Sequence, residues 1–545
     1  MPRKKFMTNQ PLALMHKGRV AFVLAIVCAC LPVSLTAQPA LPGSQSPAAT
    51  LPLLGDGSAM ASAEERRLGD RIAREIFRDP DYLDDPVLAD YVQSVWQPLL
   101  VAARARGDLT PELDERFAWR IMLGRDRTVN AFALPGGYLG VNLGLLAVVN
   151  SRDELASVLG HELSHVTQRH ISRLIAKDSA QAPWLLGAMI LGALAASKSP
   201  DAASALMVGG QAVAAQNQLN FSRDMEREAD RIGFGVMTQA GFEAAGFVTM
   251  FDKLQQAARL NDSGGYPYLR SHPLTTERIA DMQSRLPLGA PHAVAGTPLM
   301  RHALMATRAK VLSNPGVDAL RTWQAQVDDP GLRLLPAAQQ AGALYGATLA
   351  ALQLRDMDLA RRNLTRLQAL AALDTGSAEP VRWLGAEIDL TARDLTPAQL
   401  TALATRVGVL DAKTTAVANM RRPELMLQAQ VALQLNQSAA LSSVTQSLQT
   451  WLATQPQDAL AWQALASMYN AQQQSLRALR AEAEAQAARL DYTGAMDRLR
   501  AAQDLMRANE AAGSSADHID ASIIDTRQRQ IEVLLKQQAQ QALDR

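Results

Sequence analysis

The chain has 545 residues, 48% hydrophobic and 20% charged, with a formal net charge of +1. At the usual ~100–200 residues per domain this is material for about two to four folded units, and so balanced a charge argues against nucleic acid as a partner. The two cysteines, Cys28 and Cys30, share one apolar N-terminal run. That placement excludes a disulfide framework, a thiolate-held metal and a cysteine nucleophile in the body of the protein.

Residues 1–37 read as a cleavable export signal. Arg3, Lys4, Lys5, Lys17 and Arg19 form a basic start without an acidic residue, and Val20 to Leu31 is an apolar run closed by Pro32 and small residues to Ala37. The run is shorter than the ~20 residues of a membrane span, so cleavage after Ala37 and export are expected. Residues 38–61, rich in Pro, Ala, Ser and Gly, read as a linker. Residues 62–288 carry clustered His, Glu and Asp and are expected to form the chemical domain; residues 300–545 are Ala/Leu/Gln-rich helices.

The strongest chemical signal is His161-Glu162-Leu163-Ser164-His165. Two histidines at i and i+4 project from one face of a helix, close enough to hold one cation through imidazole nitrogens at ~2.0–2.1 Å. Glu162 lies beside that face, where it can act as general base on the attacking water. Ser151 followed by Glu154 forms a capping-box signature, and Leu155, Val158, Leu159 and Val166 form an apolar stripe behind it. A third ligand has to come from another helix. Residues 221–237 offer Glu226 as that ligand and Asp230, one turn on, as hydrogen-bond partner of a ligating imidazole. Glu228 competes for the ligand position, although it lies about 200° around the helix from Glu226. Met225, Ala229, Ile232 and Val236 form the adjacent apolar face, and Ala229 and Gly233 permit close approach of another helix.

These segments, Asn130 to Leu146, Gly160 to His170 and Ser222 to Gly233 in that order, resemble the HtpX/prenyl-protein-endopeptidase type of zinc metallopeptidase. The resemblance covers roughly residues 62–287. It implies one Zn2+ per chain held by His161, His165 and Glu226, with Glu162 as general base and Asp230 supporting a ligand. It also implies a strand along the active-site cleft that takes substrate by β-addition; the turn Pro135-Gly136-Gly137 and the alternation of Tyr138 and Val141 suit a strand edge on their own terms.

Exported members of that family add a C-terminal tetratricopeptide domain. Trp462, Leu465, Ala466 and Tyr469 fit its first-helix pattern, Tyr492, Ala495, Leu499 and Ala502 its second, and Trp383-Leu384-Gly385 and Asp358-Leu359-Ala360 are diverged echoes. The expected architecture is therefore mainly α: a gluzincin-type, α+β peptidase domain with a small edge-stranded sheet, then an all-α tetratricopeptide-like superhelix. The function so implied is that of a periplasmic zinc endopeptidase degrading unfolded or misassembled outer-membrane proteins and assisting their assembly. Its repeat domain would meet the β-barrel assembly machinery. The rival reading is a chaperone-like repeat scaffold whose peptidase is normally latent.

His272, in the loop Ser271-His272-Pro273, is the remaining candidate. Its chemistry alone leaves open an oxyanion donor or a turn residue; the resemblance implies an inhibitory fourth zinc ligand. His170, nine residues beyond His161, faces nearly away from it on a continuous helix and is expected to be a packing histidine or one that supports a ligand from behind. The apolar stretch within 183–215 is expected to form a helical hairpin that caps the cleft or touches a membrane surface, each run being too short to span one.

Overall fold

A computed structural model of the chain describes residues 60–177, 222–259, 265–286, 299–372, 374–392, 395–409, 421–511 and 518–543. The signal at 1–37, nearly all of the 38–61 linker and the apolar stretch 183–215 lie outside the described residues. Residues 55–545 belong to one compact unit. No described helix is long and apolar enough to cross a membrane.

The chain enters through helix α1 (Ser62–Arg78), short strand β1 (Tyr82–Leu83) and helix α2 (Pro86–Arg106). Asp85 starts α2 by accepting a hydrogen bond from the Leu88 N–H, Pro86 occupies the first turn, and Gly107, at φ +79°, ends it. This is the expected asymmetry: proline fits where no amide partner is needed, and glycine takes the left-handed exit.

Strands β2 (Arg120–Gly124), β3 (Ala131–Leu134) and β4 (Tyr138–Asn142) complete a sheet with β1 in the order β1-β2-β4-β3. β2 runs parallel to β4, with Met122 opposite Gly140, and β3 runs antiparallel to it, with Ala133 opposite Leu139. Gly136 and Gly137 both take positive φ in the β3–β4 turn, and a Cβ on Gly136 would come within 2.8 Å of the Arg66 Cα. The edge strand is thus Ala131–Leu134. The Tyr138–Val141 stretch, which the sequence pattern suggested as an edge, is interior and buried at every one of those positions. Its apparent alternation is a chance feature of a strand covered on both faces.

Of helices α3 (Arg152–Thr167), α4 (His170–Lys177), α5 (Arg223–Gln239), α6 (Ala245–Arg259) and α7 (Thr276–Ser284), α3 packs on β3, α4, α5 and α6 pack on α3, and α7 packs on α5 and α6. Tyr91, Trp96, Leu139, Leu155, Leu159 and Phe247 join one core, each at most 2% exposed. α3 and α5 cross at Gly160 and Gly233. A Cβ on Gly233 would lie 2.9 Å from both the Gly160 carbonyl carbon and the His161 amide nitrogen, so the two backbones touch. The small-residue face read from the α5 sequence is this contact.

From Met300 onward the described elements are helical, and each helix packs on the next or the next but one along the chain. Asp458 caps Ala459–Ala471, pairs with Arg422 at 2.8 Å and accepts from Trp451 Nε1 at 2.9 Å. One expectation needs correction. Tyr492–Ala511 is not the partner of the Trp462 helix, because Ser475–Ala488 stands between them and packs on both. That helix has an alanine face, Ala478, Ala481 and Ala485, and carries no bulky signature.

The helical segment is tied to the residues that precede it by ion pairs. Arg308 meets Asp85 at 2.7 Å and Glu387 at 2.8 Å, and Arg422 meets Asp84 at 2.8 Å. Farther along, Arg120 donates to the Ala488 carbonyl at 2.8 Å and Arg74 to that of Leu490 at 2.9 Å.

Candidate metal centre

Every residue of α3 from Glu154 to Thr167 is buried. Ser151 caps the helix by accepting from the Glu154 N–H at 3.1 Å. The other half of the expected box shifts by one residue: Glu154 Oε2 accepts from the Asn150 N–H at 2.6 Å and from Lys253 Nζ at 2.7 Å. A helix so enclosed can carry ionisable groups only where they meet partners, and His161, Glu162 and His165 do.

Four donor groups converge there: His161 and His165 from α3, Glu226 from α5, and His272 from the loop before α7. His161 Nε2 lies 2.9 Å from His165 Nε2 and 3.3 Å from His272 Nδ1. Glu226 lies 3.5 Å from each α3 imidazole Nε2 and 3.0 Å from His272 Nδ1. Zinc bonds of ~2.0–2.1 Å arranged tetrahedrally place ligand atoms roughly 3.3 Å apart, so these separations fit a single small cation. Two imidazole nitrogens facing each other at 2.9 Å call for a proton or a cation between them. The donor chemistry, nitrogen with one carboxylate and no thiolate, suits zinc.

Around these donors lies a shell of fixed charge. Asp230 Oδ1 is 2.9 Å from His161 Nδ1. Arg278, from α7, grips both Asp230 oxygens at 2.6 and 2.8 Å, reaches Glu226 Oε2 at 2.9 Å, and donates to the Pro273 carbonyl at 2.8 Å. One buried guanidinium thereby holds two carboxylates and the His-Pro loop, a role its sequence position does not announce. Tyr268 stacks on His272 with ring centroids 4.6 Å apart. His170, expected to face nearly away from His161, supports the other imidazole: its Nδ1 lies 2.9 Å from His165 Nδ1, and its Nε2 lies 3.1 Å from Glu228 Oε2. Glu228, the competitor for the ligand position, is therefore outside the donor cluster.

Burial and charge set the protonation. Burial lowers the pKa of His161, but Asp230 and Glu226 outweigh it and bring it up to about 9. Burial, then the neighbouring His161, pushes His165 well below its ordinary value. Glu226 is held well below the carboxylate range despite its burial, by His272 and His161; Asp230 is held down in the same way by Arg278. Glu162 moves the other way, because burial outweighs His272 and His161. Burial lowers His170 to about 4 against the pull of Glu228. A raised carboxyl next to ionised ones is the pattern of a group that exchanges protons. Glu162 Oε2 accepts from the Ala133 N–H at 2.9 Å, while Oε1 has no hydrogen-bond partner among the described residues and lies 3.4 Å from His272 Nε2.

Comparison with known proteins agrees with this chemistry. Residues 90–286 match the description of peptidase family M48. The chain is 31% identical over 371 residues to the beta-barrel assembly-enhancing protease of Escherichia coli, an overlap of 66% of this chain and 71% of that protein. A protease of the same name in Yersinia pestis is 29% identical over 313 residues, covering 57% and 61%. The mitochondrial metalloendopeptidase OMA1 of Schizosaccharomyces pombe is 33% identical over 169 residues, covering 31% and 47%.

Proposed function

The chain belongs to peptidase family M48 and is a zinc metalloendopeptidase, and from that premise we propose that it works in the periplasm on unfolded or misassembled outer-membrane proteins. The observation that carries the reading is the convergence of His161, His165 and Glu226 beside a buried Glu162 that is hydrogen-bonded to an edge strand. In this proposal residues 62–288 are the catalytic domain and 300–545 a tetratricopeptide-like recognition domain, which meets the β-barrel assembly machinery. Export follows from the 1–37 signal.

His161, His165 and Glu226 hold the metal. Bound there, zinc polarises the scissile carbonyl and acidifies the attacking water. Glu162 takes the proton from that water and delivers it to the leaving amine, the task its raised pKa suits. Asp230, braced by Arg278, fixes the His161 ring. Among the described residues no strand pairs with the side of β3 away from β4, where an extended substrate would add.

His272 acts as a resting latch. Its Nδ1 falls among the same donor atoms, and the short loop that bears it is tied down by Arg278 and Tyr268. A pure scaffold with a dormant peptidase is less favoured, since no donor or base of the site has been lost.

The test is cleavage of a misassembled outer-membrane porin by wild type and by Glu162→Gln. Cleavage by the wild type alone supports the reading. Equal cleavage by both, or by neither once His272 is also replaced by alanine, overturns it.

A further inference from the structure

The structure assigns a positioning role to His170 and Glu228: together they fix the tautomer of His165, so that its Nε2 lone pair faces the metal. This rests on the reading of His165 as a zinc ligand. If His165 offers its Nε2 lone pair, its Nδ1 carries the proton, and His170 Nδ1, 2.9 Å away, accepts it. His170 then carries its own proton on Nε2, facing Glu228 Oε2 at 3.1 Å. In the opposite assignment the His170 Nε2 lone pair would face a carboxylate oxygen, two acceptors with nothing between them. With both rings neutral, only one tautomeric arrangement of the pair satisfies both contacts, and the negative charge of Glu228 selects it. Arg173 Nη1, 2.9 Å from the same Glu228 oxygen, keeps that charge in place.

The backbone is built to allow this. On an unbroken helix a residue five positions beyond His165 would sit ~140° around the axis, out of reach. α3 stops at Thr167, and Arg169 takes φ +52°, which returns the His170 ring beneath that of His165. A non-glycine residue in this region is strained and persists only where surroundings enforce it. Arg169 is so enforced: its Nε donates to buried Glu65 at 3.0 Å, and its guanidinium also reaches the Met60 carbonyl. The two ligating imidazoles are thus oriented by different means. His161 meets the Asp230 carboxylate directly, and His165 meets Glu228 through one intervening ring.

The test measures zinc affinity of full-length protein by chelator competition, for wild type, His170→Phe, Glu228→Ala and His165→Ala. Hydrogen-bonding partners of metal ligands typically govern about 10–100-fold in affinity, and that loss is expected for the first two variants. His165→Ala should lose zinc altogether. If it retains wild-type affinity, the ligand reading fails; if it loses zinc while His170→Phe and Glu228→Ala bind as wild type does, the relay alone fails. Nitrogen-15 spectra of the histidines in metal-free protein supply a readout that simple packing would not move. His165 should be protonated on Nδ1 in the wild type and shift towards Nε2 in Glu228→Ala. An Nε2-protonated His165 in the wild type overturns the proposal.

Discussion

The Ala133 amide donates to Glu162 Oε2 at 2.9 Å, which makes the edge strand and the proposed general base one hydrogen-bonded unit. A peptide laid along β3 would therefore lie beside the carboxylate that acts on it. The contact also holds Glu162 in one rotamer and leaves Oε1 directed at the site.

Glu162→Gln should slow cleavage by about 10²–10⁴-fold, the usual worth of general acid–base catalysis. Zinc content should not change, because Glu162 is not among the converging donors. Metal analysis beside a peptidase assay checks both halves; stoichiometric loss of zinc would contradict the assignment.

Glu226→Gln should release zinc more readily than Glu228→Gln. The first removes a proposed ligand, while the second weakens a carboxylate two hydrogen bonds away. Competition with a chelator ranks the two, and the reverse order would require a different register for α5.

His272→Ala should raise the initial rate on an unfolded substrate, compared at equal and measured zinc occupancy. Removing an imidazole from the fourth position leaves three protein ligands and one open site. An oxyanion donor would behave oppositely, with a fall of about 10²–10³-fold. A fall of that size at full occupancy eliminates the latch.

Gly233→Ala should destabilise the peptidase region by about 1–3 kcal/mol, the common cost of overpacking, and weaken zinc binding with it. The added Cβ meets backbone atoms of Gly160 and His161 at 2.9 Å, and neither can rotate away. Thermal melting with and without zinc checks this. An unchanged melting temperature and affinity would show that the α3–α5 crossing tolerates separation.

Asp458→Asn should destabilise the helical segment by about 2 kcal/mol at neutral pH, since hydrogen bonds to charged groups are worth about 1.5–3 kcal/mol. Although burial acts against it, Arg422 holds the folded pKa of Asp458 below its ordinary value. A depressed carboxyl pKa contributes stability that is complete above the unfolded value of ~3.9 and is lost as pH falls through the folded one. The melting difference between wild type and Asp458→Asn should therefore be widest near pH 7 and shrink below about pH 4. A difference constant from pH 7 to pH 3 would remove the ion pair from the explanation.

The features legible from residue spacing are local ones. His161 and His165 share a face because any α-helix puts i and i+4 together, and Ser151 caps because its hydroxyl reaches an amide three residues on. The choice of Glu226 over Glu228 was half legible: helix geometry separates the two, but only the crossing at Gly160 and Gly233 determines which face meets the histidines. Other features needed the tertiary structure outright. The glycine turn announces a hairpin, yet β3 is the edge because β2 pairs in parallel with β4 after a crossover. Arg278 finds Asp230 across 48 residues of sequence, and no periodicity encodes that meeting. That His170 supports the site rather than binding its metal was legible from spacing, but its meeting with His165 was not, because the break between the helices depends on Arg169 being held at positive φ by Glu65, far upstream. Spacing specifies geometry within one element; which elements meet, and where one stops against its own propensity, is settled by burial and charge from the rest of the chain.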